Sequence, residues 1–138
     1  MLESLERLAN TGQLKREAPD ATEFERMLVM AARRLDDARL ESQSLEGRFL
    51  AAYHAAHAAS LAALRRHGYR SENRYLVFQC LTHTLGWPAA KWRVFDNAHR
   101  KRNLAEYEGY LEVEEPQVNE LTALVEQLID DVRNLNDS

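Results

Sequence analysis

The 138-residue chain contains little cysteine, glycine or proline: one cysteine (Cys80), five glycines and three prolines. A single cysteine excludes an internal disulfide framework and a cysteine-rich zinc site, and it is typical of a reducing compartment. A β-protein needs many turns, which are rich in glycine and proline. Because alanine, leucine, glutamate and arginine dominate instead, the composition predicts an all-α fold.

Long apolar runs are missing as well. The two longest stretches without acidic or basic residues, Phe49–Leu64 and Tyr75–Ala90, have 16 residues each. A helix that spans a membrane needs about 20 strongly apolar residues. Residues 1–10 contain three charged side chains where a secretory signal would be apolar. The sequence therefore predicts a cytoplasmic protein that does not contact a membrane.

Charge is unevenly distributed, although the net charge is only -4. Between Gln43 and Arg102, ten lysines and arginines are opposed by three acidic residues, whereas the rest of the chain has eight basic and nineteen acidic residues. A basic middle between acidic ends indicates a binding surface for an anion or a nucleic acid. The alternative interpretation is that the segments neutralise one another where they pack.

Capping residues and apolar periodicity divide the chain into six predicted helices. The second begins at Asp20, with Glu23 three residues on as a capping box. The third begins at Ser44 and ends at Gly68, with basic residues in its last turn as the helix dipole favours. In full, the predicted helices cover Met1–Asn10, Asp20 to about Glu41, Ser44 to Gly68, Glu72–Leu85 with Ser71 as cap, Pro88 to about Glu108, and Pro116 to Leu135.

The fourth helix has an alternative, because Tyr75–Phe78 would also fit a strand. Helix is preferred, since a lone strand has nothing to pair with. Short connections between helices predict antiparallel neighbours. We therefore expect one domain over residues 1–138, in which 1–19 form a short helix and linker. Residues 20–136 then form an up-and-down antiparallel bundle of four main helices plus shorter ones.

The third helix carries His54 and His57 in an apolar seam with 4-3-4-3 spacing. Two histidines at this spacing without a nearby carboxylate are poor evidence for a metal site. We interpret them as packing residues, and we expect neither a metal nor a cofactor.

The predicted fifth helix holds the main candidate for chemistry. Asp96, His99, Asn103 and Tyr107 are spaced by 3, 4 and 4 residues and lie within about 80° of arc on a helix. The guanidinium groups of Arg100 and Arg102 flank this stripe. Arginine binds phosphate bidentately, imidazole moves protons near neutral pH, and tyrosine stacks on bases. The alternative is a solvated helix face with local pairs such as Asp96–Arg100.

Two segments resemble the HEPN family. Arg102–Tyr107, followed by Glu108-Gly109-Tyr110, an acidic linker and an amphipathic last helix, is similar to the end of a HEPN domain, and Arg48–Ala56 is similar to its alanine-rich early helix. The resemblance spans roughly Phe24 to Leu135. It implies a small helical homodimer from a prokaryotic defence or toxin–antitoxin system, most like the members encoded beside a minimal nucleotidyltransferase.

In ribonuclease members of this family, an arginine and a polar residue precede a histidine by four to six residues, and two copies form a metal-independent site for RNA cleavage. Here Arg102 and Asn103 match the first two positions, but Tyr107 stands where the histidine belongs. The resemblance implies Arg102, His99 and Tyr107 as candidate catalytic residues and leaves open whether the chain is an enzyme. Tyr107 and Tyr110 also lie near the place of a tyrosine that a partner nucleotidyltransferase modifies in some members.

Three hypotheses follow. The first is a HEPN-like module that binds RNA or a nucleotide, is non-catalytic or weakly active, and acts with a partner. The second is a metal-independent ribonuclease toxin, and the third is a purely structural dimeric interaction protein. The residues expected to contact RNA or a nucleotide are Asp96, Arg100, Arg102, Asn103, Tyr107 and Tyr110.

Overall fold

The structure is a computed structural model that describes the backbone of residues 2–135 and the side chains of residues 3–135. Met1, at the start of the predicted first helix, and Asn136, at the predicted end of the bundle, lie outside the described residues. In chain order the elements are α1 (Leu2–Asn10), β1 (Lys15–Arg16), α2 (Ala21–Ala38), α3 (Leu45–Arg66), β2 (Tyr69–Arg70), α4 (Arg74–Gln79), α5 (Leu81–Leu85), α6 (Ala89–Glu108) and α7 (Glu115–Leu135).

Four long helices, α2, α3, α6 and α7, and three short ones build the fold, so the predicted all-α bundle is confirmed. The predicted helix starts are correct where a capping residue or a proline precedes the helix. Asp20 accepts hydrogen bonds from the backbone N–H groups of Thr22 and Glu23, and Ser44 accepts one from Gly47. Pro88 directly precedes the first residue of α6. Among residues 2–135, no helix is long and apolar enough to cross a membrane.

The predicted fourth helix is wrong in its extent. It begins at Arg74 rather than Glu72, because the Asn73 side chain accepts the N–H of Leu76, while the Ser71 hydroxyl accepts the N–H of Asn73. It also breaks at Cys80, where α4 ends and α5 begins. The alternative strand over residues 75–78 is not formed, because this segment lies in α4.

Helix α3 lies at the centre of the bundle and contacts α2, α4, α5, α6 and α7. Its alanines make this possible, since Ala52, Ala55 and Ala59 are fully buried and let neighbouring helices approach closely. A second, smaller apolar cluster lies beneath α1, around Leu5 and Val77. Helix α6 packs on α4 and α3.

The two short strands pair antiparallel, with Lys15 opposite Arg70, and were not predicted. Beside them Arg65 is buried, with its Nε 2.5 Å from a Glu23 carboxylate oxygen. Arg70 is bonded to Glu17 and Glu23. Arg65 and Arg66 lie in the last turn of α3, as predicted, and Arg65 takes part in these ion pairs in addition. The side chain of Glu23 bonds to these two arginines, Arg65 and Arg70. No described hydrogen bond joins it to the backbone N–H of Asp20, so the reciprocal bond of the predicted capping box is not formed. Arg65 and Arg70 belong to the basic middle of the chain, and their glutamate partners belong to the acidic N-terminal part. For these two arginines, the interpretation that the segments neutralise one another is confirmed.

Candidate anion-binding site

The hydroxyl of Tyr53 is the point where α3, α4 and α6 meet. Tyr53 is fully buried on α3, and its oxygen accepts a hydrogen bond of 2.9 Å from Nη1 of Arg74 at the start of α4. The same hydroxyl lies 2.8 Å from Nδ1 of His99 on α6. A buried phenol requires such a polar partner, and here the partners come from two other helices.

Two arginines also lie over the ring of Tyr53. The Cζ atoms of Arg74 and Arg102 are each 5.6 Å from the ring centroid, within the range of a cation–π contact. The imidazole of His99 stacks on the same phenol, with centroids 5.9 Å apart and planes inclined by 16°. We refer to Tyr53, Arg74, His99, Arg102 and Asn103 as the Tyr53 cluster.

Both ring nitrogens of His99 are engaged inside the Tyr53 cluster. Nδ1 faces the Tyr53 hydroxyl, and Nε2 lies 3.2 Å from the Asn103 carboxamide nitrogen one turn further along α6. These contacts fix the plane of the imidazole. For His99 to accept a proton from a ligand at Nε2, the Asn103 contact must first be released.

The cluster carries excess positive charge. Among the described residues, no carboxylate lies within 4.0 Å of Arg74, and the nearest for Arg102 is Glu106, at 3.6 Å and largely exposed. The pKa of His99 is lowered by burial first and by the charge of Arg74 second. Burial and then Arg74 also lower the pKa of His57 to about 4. These imidazoles are therefore neutral at pH 7, and the net positive charge comes from the arginines.

The same arginines also act on His54, which lies on α3 next to Tyr53. Its pKa is lowered first by partial burial and then by Arg102, Arg74 and Arg34, which belong to α6, α4 and α2. The charges of Arg74 and Arg102, which both lie on the Tyr53 ring, thus act on His54 as well as on His99. Such a convergence of guanidinium groups is suited to hold an anion, and phosphate most of all, since arginine matches its geometry.

The structure separates the residues of the predicted stripe on α6. His99, Asn103 and the flanking Arg102 meet in the Tyr53 cluster. Asp96 is instead buried and paired with Arg100 at 2.9 Å, which is the local pair that the alternative interpretation named. Tyr107 is 90% exposed and lies apart from the cluster. These residues lie on the same side of α6, but they do not form a single site.

Sequence reasoning missed Tyr53 and Arg74. Tyr53 falls within the alanine-rich segment Arg48–Ala56, and Arg74 is one of the ten basic residues between Gln43 and Arg102. One signal was available, because a tyrosine in a buried ridge must find a hydrogen-bond partner. Nothing in the local pattern identifies that partner.

A groove of about 510 Å³ adjoins the cluster and shares Arg102 with it. We call it the Tyr110 groove. Its walls include Leu50, His54, Arg102, Ala105, Tyr110 and Leu111. Tyr110, one of the predicted contact residues, is 60% exposed and lies at the end of α6 beside this groove.

Three large apolar or aromatic side chains near the end of α6 are uncovered: Leu104, Tyr107 and Tyr110. We refer to Leu104 and Tyr107, which lie three residues apart on α6, as the α6 patch. Over the described residues, no group of three or more His, Cys, Asp or Glu side chains is arranged to hold a metal ion.

No protein-family model matches the sequence, and comparisons with curated proteins and with solved structures found no match either. The fold and the Tyr53 cluster define an all-α helical bundle with a cationic site between three of its helices. The resemblance to HEPN domains stays a prediction.

Proposed function

We propose that the chain is a HEPN-like module that binds RNA or a nucleotide through phosphate and is non-catalytic or weakly active. One observation carries the proposal: Arg74 and Arg102 come from different helices to the same buried phenol, and among the described residues only the exposed carboxylate of Glu106 lies within 4.0 Å of either. Guanidinium groups held in this way offer several N–H donors to one phosphate.

The arrangement of His99 favours binding over catalysis. A general base needs a free nitrogen within reach of the proton that it removes. In His99 both nitrogens already have partners, Tyr53 and Asn103. Tyr107, which stands at the position of the family's histidine, is 90% exposed and outside the cluster. A phenol with an ordinary pKa near 10 is also a poor proton carrier at neutral pH.

The test is fluorescence anisotropy with a short, 5′-phosphorylated single-stranded RNA at low salt. Arg102→Ala is expected to weaken binding by about tenfold or more, since a hydrogen bond to a charged group contributes about 1.5–3 kcal/mol. Affinity should also fall as salt is added. Arg133→Ala is the matched control, because Arg133 is an exposed arginine of α7 that pairs with Asp130. If the unmodified protein binds neither this RNA nor a nucleotide at low salt, the proposal is contradicted.

A metal-independent ribonuclease is the second candidate. It is favoured by the position of a neutral imidazole, His99, between two arginines, since that group could remove a proton while Arg102 stabilises the developing charge. The assay is RNA cleavage in the presence of a chelator. Cleavage that is undiminished in both Arg102→Ala and His99→Ala rules out this assignment.

For the partner, we propose that the α6 patch binds a second copy of the chain, or a minimal nucleotidyltransferase as the HEPN resemblance implies. Exposed apolar patches of this kind mark interaction surfaces. Sedimentation is expected to give a dimer that Tyr107→Ala converts to monomer, while Met30→Ala, a control at an exposed apolar residue of α2, does not. A mass that stays dimeric in Tyr107→Ala contradicts the proposed surface. If the mass changes but no RNA or nucleotide binds, the chain is a purely structural interaction protein.

A further inference from the structure

The Tyr110 groove and the Tyr53 cluster adjoin at Arg102, which belongs to both. At about 510 Å³ the groove falls within the usual range for small-molecule sites, which is about 300–1,000 Å³. It is therefore large enough for a single small ligand. The side chains that line the groove indicate which class of ligand fits.

The lining of the groove is divided between apolar and charged groups. Leu50, Ala105 and Leu111 supply apolar wall, and Tyr110 adds an aromatic ring that is 60% exposed. Arg102 adds a guanidinium group at the boundary with the cluster. A ligand that matches this surface needs a flat apolar part and an anionic part in one small molecule.

The charge near Arg102 favours a strongly anionic group. Arg74 lies on the same phenol as Arg102, and among the described residues no carboxylate is within 4.0 Å of Arg74. A phosphomonoester carries about 1.5–2 negative charges at pH 7, and an internal phosphodiester only one. Two guanidinium groups that share one site therefore stabilise a terminal phosphate more than an internal one.

Building on the proposed function, we infer that this site binds one nucleotide by its terminal phosphate, with the phosphate at Arg74 and Arg102 and the base against Tyr110. Aromatic stacking is tolerant of base identity, since every base has a π-face. The ligand chemistry is shared by a free nucleoside 5′-monophosphate and by the 5′-phosphorylated end of an RNA. Glu106 competes for Arg102 until the phosphate displaces it.

Calorimetry with AMP, UMP, adenosine and inorganic phosphate tests the two halves of the site. Both nucleotides should bind at least tenfold more tightly than adenosine or inorganic phosphate. Tyr110→Ala should weaken AMP by about tenfold or more, since base stacking on an aromatic ring contributes about 1–3 kcal/mol, and should leave inorganic phosphate unchanged. Equal affinity for AMP and inorganic phosphate, or an unchanged AMP affinity in Tyr110→Ala, overturns the inference.

Two RNAs of the same sequence, one with a 5′-phosphate and one with a 5′-hydroxyl, separate the sources of the ligand. Tighter binding of the phosphorylated RNA, by tenfold or more, supports recognition of an RNA end. Tight binding of AMP with no preference between the RNAs supports a free nucleotide. If the RNAs bind equally and AMP does not bind, the inference fails while the proposed RNA binding stands. If neither RNA nor nucleotide binds, both fail.

Glu106→Gln is a variant that leaves the cationic groups and the aromatic wall in place. Because it removes the carboxylate 3.6 Å from Arg102, it should raise the affinity for AMP. Glu108→Gln, an exposed carboxylate two residues along the same helix, removes the same charge and should have a smaller effect. A lower affinity in Glu106→Gln contradicts the placement of the phosphate on Arg102.

Discussion

The hydroxyl of Tyr53 lies 2.8 Å from Nδ1 of His99, although 46 residues separate the two in the chain. This contact joins the central helix α3 to α6. Through the bond from Arg74 it also joins α4 to the same point. A buried side chain of the core thus sets the position of the groups that we propose to bind phosphate.

Tyr53→Phe removes only the hydroxyl, so the packing volume is kept while Arg74 and His99 lose their common partner. We expect a loss of about 1–3 kcal/mol in the free energy of unfolding, because His99 keeps a buried polar atom without a bond. We also expect RNA affinity to fall severalfold, since Arg74 loses its only described hydrogen bond.

The matched control for Tyr53 is Tyr69→Phe. Tyr69 is also a buried tyrosine, and its hydroxyl bonds to Glu6 beneath α1, away from the Tyr53 cluster. Urea unfolding should show that both variants are less stable, while anisotropy should show weaker RNA binding in Tyr53→Phe alone. Equal binding by the two variants would mean that Tyr53 serves packing only.

Anion binding should become tighter as the pH falls from 7.5 to 5. Burial and Arg74 lower the pKa of His99 from 6.5, so the ring is neutral in the free protein. A bound anion favours the protonated ring, and binding is therefore coupled to proton uptake. Sulfate is a suitable probe, because its own charge is constant over this range.

Titrations with sulfate from pH 7.5 to 5 measure this coupling. His99→Gln should flatten the pH dependence, whereas His83→Gln, a remote histidine near Arg7, should preserve it. A pH dependence that persists in His99→Gln would assign the proton to another group, with His54 the nearest alternative.

The fold was predictable because its signals are local. Asp20, Ser44 and Pro88 mark helix starts by chemistry that acts within one turn, and the apolar periodicity of α2 and α7 follows from a single buried face. The strands β1 and β2 have two residues each, too few for any alternation to be visible. The break between α4 and α5 at Cys80 could not be predicted either, because no glycine or proline lies at that position.

The site was predictable only in the part that lies on one helix. His99, Arg102 and Asn103 are close in sequence, so helical geometry alone brings them together. Tyr53 is 46 residues away from His99 in the chain, and Arg74 is 28 residues away from Arg102. Those relationships depend on how α3, α4 and α6 pack, which periodicity does not specify.

Arg65→Ala should destabilise the fold strongly. Arg65 is 2% exposed, and its guanidinium donates to the carboxylate of Glu23 and to the backbone carbonyls of Glu17 and Ala18. Removing one partner from a buried ion pair costs about 3–5 kcal/mol. Arg66→Ala, the neighbouring and less buried arginine, should change stability by about 0.5 kcal/mol or less. Similar urea midpoints for the two variants would contradict this account of Arg65.

The same ion pairs predict a loss of stability in acid. The pKa of Glu23 is lowered from 4.5, first by its hydrogen bond from Arg65 and then by that from Arg70. A carboxyl with a depressed pKa in the folded state stabilises the protein above pH 4.5, and that contribution is lost as the pH falls through the folded-state value.

Unfolding free energies at pH 7 and pH 2.5 test the role of Glu23. Glu23→Gln should be less stable than the unmodified protein at pH 7, and the difference should shrink at pH 2.5. Glu120→Gln, at an exposed glutamate of α7, serves as the control for removing one negative charge. A difference between Glu23→Gln and the unmodified protein that is independent of pH would exclude the ion pair as its cause.

The central claim is that Arg74 and Arg102 hold one anion together, and a double-mutant cycle tests it most directly. Dissociation constants of a 5′-phosphorylated RNA are measured by calorimetry for the unmodified protein, Arg74→Ala, Arg102→Ala and the double variant. If both guanidinium groups bind the same phosphate, each single change should remove much of the affinity, and the loss in the double variant should be clearly smaller than the two losses added. Losses that simply add, or single variants that bind as well as Arg133→Ala, would contradict the claim.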